Sequence, residues 1–187
     1  LSNQHKGSLL AFIAVMLITP DSIFIRLSNI ETWGMLFYRG AIPFIVVLAG
    51  LIFFYKNNLF KALVNIGYPG IFYIISFSIC NITFIISILN PNVANSLVMI
   101  AMAPMLSAIL GSIFLKEIPD HKTWIAIIIT LISVAYIFHD SIEMGNFYGD
   151  LFGIITSFGL ACNAVIARYA KNRDLVPSAV IGKLCVA

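Results

Sequence analysis

The most informative segment of the chain reads Asn90-Pro-Asn-Val-Ala-Asn-Ser-Leu-Val-Met-Ile-Ala-Met-Ala-Pro104-Met-Leu-Ser-Ala-Ile-Leu-Gly-Ser-Ile-Phe-Leu-Lys-Glu117. From Val93 to Leu115 it runs 23 residues without a formal charge. At about 1.5 Å rise per residue, roughly 20 such residues cross a hydrocarbon layer of about 30 Å. Pro91 and its flanking asparagines predict a tight turn before the helix. Lys116, Glu117 and Asp120 end it at a water interface. Pro104 lies inside and removes a backbone hydrogen bond, so a kink is expected there. In a membrane such a defect persists only where neighbouring helices or a polar cavity take up the freed carbonyl. Ala103, Ser107 and Gly111 recur every fourth residue, a small-residue face that admits a close helix.

Composition extends this reading to the whole chain. Sixty per cent of the 187 residues are hydrophobic, 10% are charged, and the mean hydropathy is +1.00. A soluble domain of this size could not cover its surface with so few charges. The fold class is all-α, a polytopic transmembrane helical bundle. The net charge of +3 is scattered over short loops, which argues against nucleic-acid binding. Cys80, Cys162 and Cys185 fall far apart in apolar segments and are expected as free, buried thiols. His5, His121 and His139 stand at segment ends and match no metal-ligand spacing. No metal or cofactor is expected. The first apolar run continues into a multispan pattern and does not read as a cleavable signal.

In order, spans are expected at about Ser8–Leu27, Gly34–Tyr55, Ile66–Leu89, Val93–Leu115 and Lys122–Phe138, the last of these short. Trp33 stands at the start of the second span, and Trp124 and Tyr136 are expected as interface anchors of the fifth. A polar loop is expected over His139–Asp150, then a sixth span over Leu151–Tyr169. A seventh apolar segment begins after Pro177 and reaches Ala187 without the length to span. With the N-terminus cytoplasmic, the inner loops hold Lys6, Lys56, Lys61, Lys116, Lys122, Arg168, Lys171 and Arg173. The outer loops then hold only Arg26 among cations, beside Glu31, Asp140, Glu143 and Asp150. Arg39 and Lys183 lie within or near apolar segments and are not counted. That asymmetry favours this orientation.

A shift of 142 residues places Gly7 on Gly149, Leu9 on Leu151, Ile13 on Ile155, Arg26 on Arg168 and Asp21 on Asn163. Five spans separate the two copies, so the second would be inverted in the membrane. Inverted repeats are a common route to alternating access around a midplane site.

At this point the residues resemble a known family. Pro91-Asn-Val-Ala-Asn-Ser-Leu97, Ala103-Pro104, Phe114-Leu-Lys-Glu117 and Trp124 resemble the fourth and fifth helices of the EamA family, within the drug/metabolite transporter superfamily. Thr19-Pro20-Asp21-Ser22 through Arg26, then Trp33 and Phe37-Tyr38-Arg39-Gly40, resemble the first two helices of one bacterial subgroup. Many relatives carry a tryptophan-glycine pair where this chain has Pro20-Asp21. The resemblance implies ten helices in two inverted five-helix halves, with both termini cytoplasmic. This chain would cover about the first six and part of a seventh: residues 1–138 as the first repeat and 139–187 as the start of the second. Family members mostly move amino acids, nucleosides or related metabolites, often outward.

Ionisable groups inside a membrane cost on the order of 3 kcal/mol and mark functional positions by default. Asp21 lies about 6 residues, and Arg39 about 5, from the outer ends of their spans, hence at nearly the same depth. Either they pair, or one faces the vestibule and meets charged substrate. The plainer alternatives are a structural lock, or an arginine that snorkels to the headgroups. Asn81, Asn95 and Asn163 either face a cavity and bind substrate or join helices, and Asn95 can also cap its helix. Met99 and Met102 suit varied apolar ligands or simple core packing. Pro20 and Pro104 shape helices. Lys116, Glu117, Asp120 and Lys122 read as a solvated loop.

The resulting expectation is a secondary transporter in the inner (plasma) membrane, its partners the lipid bilayer and a small-molecule substrate. Export is the expected direction. No glycine-rich phosphate loop for ATP occurs. For proton coupling, Asp21 is the nearest candidate. The rival classes are a non-transporting scaffold, which needs large soluble loops, and a membrane-embedded enzyme, which needs a catalytic cluster within the spans.

Overall fold

The computed structural model of the chain describes residues 7, 9–10, 12–13, 16, 20–55, 66–143, 147–171 and 173–187. Among the described residues, eight helices follow Pro20: α1 (Asp21–Leu27), α2 (Thr32–Tyr55), α3 (Gly67–Leu89), α4 (Val93–Ile100), α5 (Ala103–Phe114), α6 (His121–Glu143), α7 (Phe147–Tyr169) and α8 (Val176–Val186). Five of the described stretches are long and apolar enough to cross a membrane: Thr32–Tyr55, Gly67–Leu89, Val93–Phe114, His121–Asp140 and Phe147–Tyr169. Most of the expected first span, with Thr19, lies outside the described residues.

One stretch differs from the sequence reading. The expected loop over His139–Asp150 is mostly helix: α6 runs on to Glu143, and α7 starts at Phe147. Polarity marks where a segment leaves hydrocarbon, but a helix needs no apolar residue to continue into water, so the charge at Asp140 did not stop it. The fourth span, Val93–Phe114, has the expected length, and the kink expected at Pro104 divides it into two helices. Pro104, at the start of α5, has no N–H for the Ile100 carbonyl. The chain tightens through Ala101 and Met102, with Met102 N–H reaching back only three residues to Met99 (3.2 Å), before α5 resumes. The thiols differ in part: Cys80 is buried, Cys162 half-buried and Cys185 exposed.

The centre of the bundle is the antiparallel pair α3–α7. α7 presents Gly149, Gly153, Thr156 and Gly159, and α3 answers with Ser87, Thr83, Cys80 and Ser76. Ser87 Oγ donates to the Gly149 carbonyl (2.8 Å), and Ser76 Oγ to that of Gly159 (3.1 Å). The Thr83 and Thr156 hydroxyls are 2.8 Å apart. Ser96 of α4 closes the Gly149 end of the pair by donating to the Ser87 carbonyl (3.1 Å). Such bonds between membrane helices contribute about 0.6 kcal/mol each, so close packing carries the rest. It is close indeed. A Cβ on Gly153 would sit 2.9 Å from Met99 Cβ and 3.0 Å from the Ser96 carbonyl oxygen; one on Gly159 would sit 2.9 Å from Cys80 Cβ.

Elements flank this pair on two sides. α4 and α5 pack on α7, with α6 outside them, around a cluster of Met99, Met102, Met105, Ile127 and Val134. On the other side, α8 lies against α2 and α3, and Ile25, Met35, Leu36, Ile85, Ile88 and Val186 form a second cluster. Long apolar side chains remain exposed around the outside, including Phe53, Phe72, Ile113, Ile128 and Ile132. A water-facing surface would not carry these, whereas lipid-facing helices do. The chain's two tryptophans open different helices at opposite ends of the bundle. Trp33 begins α2 beside the end of α3, and Trp124 begins α6 beyond the end of α5.

Candidate functional site

Four polar side chains from four helices meet about two helical turns in from the end where α2 begins and α3 ends, on the side away from α6. The first is Asp21. Pro20 precedes it, and the Pro20 carbonyl accepts from both Ile23 and Phe24 N–H (3.1 Å each), so the proline opens α1. Asp21 therefore sits in the first turn, where a carboxylate suits the helix dipole. Its Oδ2 lies 2.7 Å from Arg39 Nη2 of α2, and the two side chains are 34% and 25% exposed. The depth match anticipated in the sequence brings them into contact.

Arg39 also lies over the Phe84 ring, 4.9 Å from guanidinium carbon to centroid. Such a contact favours a cation without neutralising it. Its Nη1 is buried and has no hydrogen-bond partner among the described residues. The next residue, Gly40, leaves room for Ala187: a Cβ there would be 2.5 Å from the Ala187 backbone nitrogen. This closeness lets α8 lie alongside α2.

α8 supplies Lys183. Gly182 brings it in, because a Cβ there would strike Phe77 at 2.8 Å, and Ser78 Oγ donates to the Gly182 carbonyl (3.1 Å). Lys183 Nζ donates to Asn81 Oδ1 at 2.6 Å and lies 5.2 Å from the Phe77 ring centroid. Asn81 Nδ2 donates to its own helix at the Phe77 carbonyl (2.7 Å), which turns its oxygen toward the lysine. The ammonium is in electrostatic reach of Arg39 and Asp21. Two cations and one carboxylate thus share a site walled by Phe77 and Phe84. Groups so placed can hold an anionic or hydrogen-bonding molecule.

The other candidate residues fall elsewhere. Met99 and Met102 are buried in the cluster beside α6. Asn95 lies half-buried in α4. Asn163 is buried one turn beyond Gly159, its Oδ1 without a hydrogen-bond partner among the described residues. Pro104 stands at the α4–α5 break.

At the opposite end of α7, Arg168 lies over Gly111. It donates to Glu117 Oε2 (2.7 Å), the Ser107 carbonyl (3.0 Å) and Ser107 Oγ (2.7 Å). The small-residue face of α5 thus accommodates a guanidinium as well as a helix, and Glu117 is tied across the bundle although its loop is solvated. Near this end a cavity of about 960 Å³ opens between α3, α5 and α7, lined by Tyr68, Phe72, Leu110, Phe114, Cys162 and Tyr169 among others.

Sequence reasoning passed over Lys183, although a lone ammonium in an apolar run is the same signal that selected Asp21 and Arg39. It also passed over Gly149-x-x-x-Gly153, a spacing that marks close helix contact.

No curated protein and no solved structure matches the chain. Residues 5–139 match the EamA-like transporter family. With five membrane-length apolar helices and a match over most of its length, the chain belongs to the EamA-like transporter family of the drug/metabolite transporter superfamily.

Proposed function

We propose that the chain is part of a secondary transporter that exports small metabolites, such as amino acids, nucleosides or related compounds, across the plasma membrane by alternating access. The observation that carries this reading is the Asp21–Arg39 pair beside Lys183–Asn81, held about two helical turns in from one end of a bundle of apolar helices. Charges at that depth are costly unless they serve a path. Family membership supports transport as the class of activity.

In this reading residues 1–138 form one five-helix unit, and residues from 139 begin a second, inverted one. α7 and α8 thus belong to the second unit and meet α3 and α2 of the first. Substrate binds where the two units meet, and rocking exposes it to either side. The N-terminus is cytoplasmic, as the lysines and arginines near the α5–α6 and α7–α8 connections favour. Asp21, paired with Arg39, is the candidate for proton coupling. Asn163, Asn95, Met99 and Met102 shape the path from the α4–α7 side.

The test is flux through reconstituted full-length protein, measured for labelled amino acids and nucleosides with and without a pH gradient. Protein-dependent flux is expected for at least one class. Flux that follows the gradient would support coupling at Asp21, and flux indifferent to it would remove that role. Absence of flux across the whole panel would favour the scaffold reading.

A further inference from the structure

We infer that Arg39 and Lys183 together receive an anionic group, a carboxylate or a phosphate, on the transported molecule. This rests on the transporter reading of the same site and gives it a substrate class.

The argument is one of charge and unfilled donors. The site holds two cations and one carboxylate, and Asp21 is committed to Arg39 Nη2 at 2.7 Å. Among the described residues, Lys183 has only the amide oxygen of Asn81 as a hydrogen-bond acceptor, at 2.6 Å. A neutral amide does not cancel an ammonium, which has three protons to give. The ring faces of Phe77 and Phe84 hold the two cations in place and likewise leave their charge intact. The other acids are occupied elsewhere or distant in the fold. Glu117 binds Arg168 at the far end, Asp174 accepts from Val176 N–H (2.9 Å), and Asp150 belongs to the first turn of α7. Asp21 is the one carboxylate in electrostatic reach of Lys183 among the described residues, with the Cys80 thiol nearby.

One positive charge is therefore left over inside the bundle, and the group placed to meet it is buried: Arg39 Nη1, shielded from solvent and without a hydrogen-bond partner among the described residues. A guanidinium presents donors in a planar fork that fits two oxygens of a carboxylate or phosphate, with the ammonium as a second point of attachment. The anion would sit between Arg39 and Lys183. Asn81 would keep the lysine aimed while the site is vacant.

The experiment uses full-length protein in detergent and measures protection against thermal unfolding, which needs no transport. The probes are matched pairs: lactate and lactamide, succinate and succinamide, glycerol 3-phosphate and glycerol. At least one acid is expected to raise the midpoint and its uncharged partner to leave it unchanged. A carboxylate hit and a phosphate hit distinguish the two sources of the anion. Lys183→Gln should weaken the protecting acid's Kd at least tenfold, whereas Lys183→Arg, which keeps the charge, should hold it within about threefold. Equal protection by acid and amide, an unchanged Kd in Lys183→Gln, or no protection by any acid would each overturn the assignment. Flux of neutral compounds alone would overturn it too while leaving the transporter reading standing. If Lys183→Gln does not fold, the acid-against-amide comparison in the unsubstituted protein decides.

Discussion

Gly153→Leu is expected to yield little or no folded protein. A single Cβ at this position already comes within 2.9 Å of Met99 Cβ, 3.0 Å of the Ser96 carbonyl oxygen and 3.2 Å of Ser87 Oγ. A leucine adds three further carbons in the same direction. One of those neighbours is backbone, so it cannot rotate away, and moving it would shift α4 off α7. Overpacking ordinarily costs about 1–3 kcal/mol. Here three helices are wedged at once, and the expected loss exceeds about 3 kcal/mol. The measurement is the monodisperse fraction and thermal midpoint of purified protein. Gly50→Leu is the control, since nothing lies within 4 Å of a Cβ there, and it should behave like the unsubstituted chain. Equal behaviour of the two variants would refute the packing described for α7.

The second large effect is expected at the ion pair, and it separates stability from activity. Arg39→Gln leaves the Asp21 carboxylate without its partner in apolar surroundings. Breaking a fully buried pair from one side costs about 3–5 kcal/mol. With side chains a quarter to a third exposed, the expected loss is smaller, about 2 kcal/mol. Replacing both residues, Asp21→Asn with Arg39→Gln, removes both charges and should return most of that stability. Flux of the transported compound should stay at least tenfold down in the double variant. A structural lock would instead give back flux together with stability. The thermal midpoint and the flux of the three proteins, read side by side, decide between the two roles.

How far these features could be read in the sequence follows from the range of the interactions. Helical spans are local: about 20 uncharged residues have one way to cross hydrocarbon, so α2, α3, the α4–α5 stretch and α7 were legible to within a few residues. The Asp21–Arg39 contact was legible for a related reason. Two charges at one depth on neighbouring spans have few other partners. The run from His139 to Asp150 misled because polarity reports the position of the interface and not the end of the helix. The α3–α7 pairing joins residues 62 to 83 positions apart in the chain. Nothing local specifies that Ser87 faces Gly149 and not some other small residue. Asn81 was recognisable as a polar residue out of place, but its partner lies 102 residues on. Lys183 lies within or near an apolar segment and stands outside the loop-charge count, so its sequence position alone assigns it no partner. Met99 and Met102 were ambiguous in principle, because an adaptable side chain suits a pocket and a core equally, and only the surrounding helices distinguish the two.

The placement of the two indoles has an optical consequence. Trp33 is 80% exposed at one end of the bundle and Trp124 is 44% exposed at the other, and the sequence contains no third tryptophan. A membrane-impermeant quencher added to one compartment of a sealed, uniformly oriented preparation therefore meets one indole and not the other. The emission of these two indoles divides into a quenchable and a protected fraction, one for each end of the bundle. These 187 residues thus carry their own fluorescent marker of sidedness, and a Trp33→Phe variant identifies the fraction that Trp33 contributes.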